Sequence, residues 1–120
     1  MTSVTHNRKP IFSDWKLGRL VVNEFRRAQD QKLAVSLAWV VMPDHFHWLI
    51  ELRDSDLSNL MRQVKTRSAC ATTKAVGKQL PVWQKGYHDR ALREENDILH
   101  AARYIIAIPL RAGLVKRYGD

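Results

Sequence analysis

The sequence predicts an α+β domain built on an antiparallel sheet, and three observations carry that reading. Residues 33–42 and 45–52 are two stretches rich in Val, Leu, Ile and Trp, parted only by Pro43-Asp44. That is the pattern of two strands joined by a tight connection. Other stretches repeat apolar residues at the 3-and-4 spacing of amphipathic helices. The chain has 120 residues, 45% of them hydrophobic, which suits one domain of ~100–150 residues with one core. Residues 1–120 are therefore read as a single domain, with no internal repeat and no low-complexity segment.

The elements follow in order. Residues 2–6 read as a short first strand. Ser13 or Asp14 is placed to cap a first helix, with Leu17, Leu20, Val21, Phe25 and Ala28 on its buried stripe and Gly18 a weak point within it. Residues 33–42 form a strand, Pro43-Asp44 ends it, and residues 45–52 return antiparallel to it. Leu57, Leu60, Met61, Val64 and Ala71 mark a second helix, with Gly77 as its stop. Pro81 to Leu92 is expected to hold a short strand, interrupted near Gly86. A third helix is expected from about Glu94 to Ile108, with Ile98, Ala101, Ala102 and Ile105 inward and acidic residues at its start, where they suit the helix dipole. Pro109 is expected near its end, with room for a last short helix. The order strand, helix, strand, strand, helix, strand, helix is a split βαβ, ferredoxin-like pattern with an added C-terminal helix.

Charge and composition narrow the function. Lys and Arg number 20 against 12 Asp and Glu, a net charge of +8, and the pI is about 10.1. A polyanion, most often nucleic acid, is the expected partner; the plainer alternative is a basic protein with no such partner. No apolar run approaches the ~20 residues that a membrane span needs. The opening residues lack a charged-then-apolar leader pattern. One cysteine, Cys70, rules out an internal disulfide and a cysteine-rich zinc site. A cytoplasmic protein is expected. The charge is uneven: residues 33–52 hold Asp44 and Glu51 but no Lys or Arg, between basic flanks.

That acidic segment contains His45-Phe46-His47. In a strand, residues i and i+2 share a face, so two imidazoles stand side by side and can share a divalent metal while Phe46 turns to the core. By itself the pair reads equally as two hydrogen-bonded strand histidines. The surrounding run, Val40-Val41-Met42-Pro43-Asp44-His45-Phe46-His47-Trp48-Leu49-Ile50-Glu51-Leu52, is more particular. It resembles the HUH motif of single-tyrosine, IS200-like transposases, in the version shown by their REP-associated branch. Thr5-His6-Asn7-Arg8 and Pro10-Ile11-Phe12 look like that family's first strand and turn. Residues 82–93, Val-Trp-Gln-Lys-Gly-Tyr-His-Asp-Arg-Ala-Leu-Arg, look like its central block. Residues 102–115, Ala-Arg-Tyr-Ile-Ile-Ala-Ile-Pro-Leu-Arg-Ala-Gly-Leu-Val, look like its C-terminal signature.

The resemblance implies a ferredoxin-like antiparallel sheet with helices on one face and an added C-terminal helix carrying the nucleophile. It implies an enzyme that cuts and joins single-stranded or hairpin DNA, often REP palindromes, through a 5′-phosphotyrosine. It implies His45 and His47 as ligands of a divalent metal, Mg²⁺ or Mn²⁺, and Tyr104 as nucleophile. Related insertion-sequence enzymes are dimers and the REP-associated branch is expected to act as a monomer, so either a monomer or a homodimer is open. Tyr87, beside His88 and Asp89, and Tyr118 are competing tyrosines. Consecutive strand residues alternate faces, which separates Tyr87 from His88, and Tyr118 lies near a terminus expected to fray.

The chain departs from the family pattern at Ile108, where relatives usually carry an amide, commonly Asn, as a third ligand one helical turn beyond the tyrosine. His100, one turn before Tyr104, is a candidate substitute ligand or proton acceptor, or a surface histidine. Reduced activity is the expectation, with a catalytically weakened DNA-binding module on the same fold as the alternative. An RNA-binding ferredoxin-like protein is a third class, which needs exposed sheet aromatics that the pattern does not clearly supply. Against the resemblance, the first strand and the C-terminus look short, as in a truncated copy. Arg62, Lys65 and Arg67 on the second helix, with Lys85, Arg90 and Arg93 of the central block, are the candidate DNA contacts; the alternative for each is a solvated basic face. Trp83 is read as packing rather than base stacking.

Overall fold

The computed structural model describes residues 1–89 and 94–112, and side chains through residue 105. A first strand, β1, spans Thr2–Val4, followed by two short 3₁₀ turns at His6–Arg8 and Ile11–Ser13. Helix α1 spans Trp15–Asp30. Asp14 is its cap, accepting a hydrogen bond from the Lys16 amide at 2.9 Å. The neighbouring Ser13 hydroxyl instead donates to the Pro10 carbonyl. Val21, Val22, Phe25 and Ala28 are buried, while Leu17 and Leu20 are only partly so.

Strands β2, Ala34–Met42, and β3, His45–Leu52, form a hairpin across the two-residue Pro43-Asp44 turn. Met42 lies opposite His45, Val40 opposite His47 and Trp39 opposite Trp48, with a register shift between Ser36 and Ala38. β1 pairs antiparallel along the other side of β3, placing Thr2 opposite His47 and Val4 opposite His45. Among the described residues the sheet order is β1-β3-β2. The strand expected within 81–92 is reduced to two isolated bridges, Trp83 to Thr5 and His88 to Thr2. Between them Gly86 takes φ +83°, which turns the chain away from the sheet edge and breaks the ladder. The end of that stretch, 90–93, lies outside the described residues.

Helix α2 spans Leu57–Val76 and is capped by Asp56, whose side chain accepts from the Asn59 amide. It stops at Gly77, which takes φ +87°, a left-handed position that glycine fills without steric cost. Helix α3 spans Glu95–Ala112. It continues through Pro109 to Ala112 instead of ending at the proline, although a proline inside a helix removes a backbone hydrogen bond and crowds the preceding turn. No described helix is long and apolar enough to cross a membrane.

The sheet has a helix layer on each side. Phe46 and Trp48 of β3, with Trp39 and Val41 of β2, join Phe25, Leu60, Met61 and Val64 in one core under α1 and α2. Phe25 stacks on Trp48 with centroids 4.3 Å apart. Each such buried side chain contributes about 1.5–3 kcal/mol of burial free energy. On the opposite face Ala38 and Val40 pack with Ile105 of α3 in a smaller cluster. Because side chains alternate along β3, His45 and His47 are turned to that second face.

Candidate active site

His45 and His47 have ring centroids 5.0 Å apart, edge to face. Phe46 between them is fully buried on the other side. Each imidazole is held through Nδ1. His45 Nδ1 lies 2.6 Å from Asp44 Oδ1, and His47 Nδ1 lies 2.8 Å from Thr2 Oγ1. This leaves Nε2 of each ring as the nitrogen open to a ligand, the arrangement common in metal-binding histidines whose other nitrogen is fixed by a carboxylate or hydroxyl.

Electrostatics keep His47 neutral. Burial, then the nearby His45, then the N-terminal ammonium lower its pKa to about 4, so it is neutral at pH 7. Burial alone would raise the Asp44 pKa. Hydrogen bonds and attraction from His45 and Arg8 outweigh it, and the net shift is downward. Asp44 is therefore a carboxylate, bonded by His45 on one oxygen and by Arg8 Nη1 at 3.2 Å on the other.

Tyr104 sits on α3 above the same face. Its ring centroid is 6.3 Å from that of His47, edge on, and it is 55% exposed. Thr2, His47, Asp97, His100 and Tyr104 all line one open cleft of about 470 Å³ between the sheet and α3. Asp97, His100 and Tyr104 fall at successive helical turns of α3, and this spacing sets them on its cleft side. Tyr87 belongs to the other layer. Its ring packs against the α1/α2 core and its hydroxyl lies 3.4 Å from Ser58 Oγ. Tyr104 is thus the described tyrosine that meets the histidines; Tyr118 lies outside the described residues, as does the side chain of Ile108. Among the described residues no set of three His, Cys, Asp or Glu side chains is grouped to hold a metal.

The basic candidates lie elsewhere. Arg62, Lys65 and Lys85 border a groove of about 330 Å³ between α2 and residues 83–87, in the α1/α2 layer. Lys65 is bound within it: Nζ donates to the carbonyls of Gln84, at 2.7 Å, and Gly86, and burial lowers its pKa. Arg67 shares Glu24 Oε1 with Arg27, at 3.1 and 2.9 Å. Arg62 donates to Asn59 Oδ1, and Lys85 is exposed. Arg90 and Arg93 lie outside the described residues. Trp83 is a core residue: it packs on Phe12 and Phe46 and donates to Ser68 Oγ. Thr2, Arg8 and Asp44 are the site neighbours that motif reasoning passed over. Asp44 stands inside the quoted run, and its position beside His45 was the available signal.

The fold and site thus define a small α+β domain that presents two histidines and a helical tyrosine on one sheet face. The model of the family "Transposase IS200 like" matches residues 1–107, and the chain belongs to that family. It is 34% identical over 85 residues to a REP-associated tyrosine transposase of Escherichia coli (strain K12), a match covering 69% of this chain and 48% of that one. The chain therefore spans about half the length of that relative. A solved REP-associated tyrosine transposase bound to a REP hairpin shares the fold, with a TM-score of 0.71 at 24% identity, over 97% of this chain and 68% of the other.

Proposed function

We propose that this chain cuts and rejoins single-stranded DNA by transesterification, with Tyr104 as nucleophile and a divalent cation, Mn²⁺ or Mg²⁺, held by His45 and His47. The observation that carries this reading is the edge contact of Tyr104 with His47 across the cleft, with His45 beside it. The donor set fits such an ion in part: two imidazoles, each anchored through Nδ1, suit Mn²⁺ better than Mg²⁺, which prefers oxygen. When bound, the ion would offset charge on a non-bridging phosphate oxygen and help orient the phosphate.

The protein's own part is the covalent step. The Tyr104 phenol, with a reference pKa near 10, loses its proton before or during attack. Its oxygen bonds to phosphorus while the phosphorus–O3′ bond breaks, and the departing 3′ oxygen takes up a proton. One phosphoester replaces another, so the reverse reaction joins strands without ATP. The exposure of Tyr104 and the open cleft give a strand access to both partners. Hairpin-bearing DNA is the proposed substrate, because one relative of this fold is bound to a REP hairpin. The exposed Arg62 and Lys85 would hold phosphates, with salt-dependent affinity.

A second reading is a DNA-binding module with weakened catalysis. It is favoured by Ile108 in place of an amide and by the lack of a third clustered ligand among the described residues. One experiment separates them. Labelled hairpin DNA with a single-stranded flank is incubated with Mn²⁺ and run on a denaturing gel. A covalent adduct with the parent and with Tyr87→Phe, but not with Tyr104→Phe, is expected. Salt-sensitive binding without any adduct selects the module; neither binding nor adduct sinks both.

A further inference from the structure

We propose that Asp44, gripped by Arg8, is a positioning residue that fixes His45 as the Nδ1–H tautomer and so leaves the lone pair on Nε2, free to take a cation beside His47. The inference rests on the reading of His45 as a cation ligand and adds how the chain prepares it. An ionised carboxylate only accepts hydrogen bonds. At 2.6 Å from Asp44 Oδ1, His45 Nδ1 must therefore carry the proton. A neutral imidazole without such a partner exchanges between tautomers, and a protonated Nε2 binds no cation.

The Asp44 carboxylate is itself held. Phe12 donates its amide to the Pro43 carbonyl at 2.9 Å, and Thr5 donates its amide to the Asp44 carbonyl at 2.8 Å. The Thr5 hydroxyl, fully buried, is shared between the Asp44 and Lys9 carbonyls. Residues 5–12 thus strap the turn that precedes His45. Arg8 completes the strap from an uncommon backbone: Asn7 and Arg8 stand at φ +55° and +51°, a left-handed region that non-glycine residues seldom occupy. That pair of residues swings the Arg8 guanidinium back onto Asp44 Oδ2 at 3.2 Å. An ion pair this exposed, with Arg8 at 67%, adds little to stability. A role in aiming Asp44 accounts for the arrangement better than folding energy does. His47 differs: its partner, the Thr2 hydroxyl, both donates and accepts, so that bond fixes the ring without selecting a tautomer.

The test reads the tautomer directly, in metal-free protein without DNA, by ¹⁵N-correlated NMR of the imidazoles at pH 8. His45 in the parent is expected as Nδ1–H. Asp44→Ala should move it toward the Nε2–H form, leave His47 unchanged, and weaken Mn²⁺ binding about 10- to 100-fold. Arg8→Ala, at an exposed position, should give a mixed tautomer and an intermediate loss. An Nε2–H His45 in the parent overturns the proposal with no variant needed, and so does an unchanged tautomer in Asp44→Ala or Arg8→Ala. If the tautomer shifts as stated but the parent takes up no Mn²⁺, the positioning role stands and the cation reading of the site falls.

Discussion

His47 resists protonation well into the acidic range because its charged form is penalised by burial and by two positive neighbours. Its folded pKa, about 4, lies below the unfolded value of 6.5. The sign follows from linkage: the unfolded chain binds this proton first, so the contribution to stability is present above pH 6.5 and is lost as pH falls through about 4. Asp44 acts in the same direction, but in a window below the ordinary carboxyl value of 3.8. Urea midpoints measured from pH 7 to 4 should therefore fall, and the fall should be shallower in His47→Gln. An equal slope in both proteins would show that another group titrates in that range.

Two glycines show how an element's needs differ from a residue's. Gly77 ends α2 at φ +87°, so Gly77→Ala should cost roughly 1 kcal/mol, although nothing crowds its missing Cβ. Gly18 lies inside α1, and a Cβ there would meet Val41 Cγ1 at 3.7 Å and the Phe12 carbonyl oxygen at 3.9 Å, both ordinary contacts. Gly18→Ala should be neutral or stabilise by up to ~1 kcal/mol through helix propensity. Thermal melts of the two variants should move in opposite directions or, for Gly18→Ala, not at all. On the sheet, Phe46→Ala removes a fully buried ring from the core under α1 and α2 and should cost about 3–5 kcal/mol. That loss comes from the core face of β3, the face opposite the histidines.

At the scale of the molecule, the sheet separates the two groups of candidate residues. The histidines and Tyr104 share the α3 side, whereas the groove with Arg62, Lys65 and Lys85 lies in the α1/α2 layer. Phosphate contacts should therefore be separable from chemistry. Arg62→Ala or Lys85→Ala should each lower the salt slope of hairpin binding by about 1. Arg67→Ala should mainly lower stability, since it strips a cation from the nearly buried Glu24. A salt slope that drops with Arg67→Ala but not with the other two would reverse this assignment. The third ligand position of the proposed site falls one helical turn beyond Tyr104 in the sequence, at Ile108. Ile108→Asn should raise the rate of Mn²⁺-dependent adduct formation, and an unchanged rate would remove position 108 from the site.

Periodicity and turn residues were enough to read α1, the β2–β3 hairpin and α2, because Pro43-Asp44, Gly77 and a cap at Ser13 or Asp14 act on the backbone beside them; the choice of Asp14 and the Asp56 cap of α2 came from the structure. The path of α3 through Pro109 was not legible, since proline's effect depends on whether the helix is held by packing. Nor was the loss of the strand near Gly86, where a ladder depends on a partner far along the chain. The sequence by itself determined that His45 and His47 share a strand face, because a two-residue alternation is a local property. Only the tertiary structure decided that Tyr104 rather than Tyr87 meets them, that Arg8 reaches Asp44, and that Lys65 and Arg67 are tied up by neighbours. Each of those is a contact between residues remote in the chain, set by how helices pack across a sheet and not by any spacing along it.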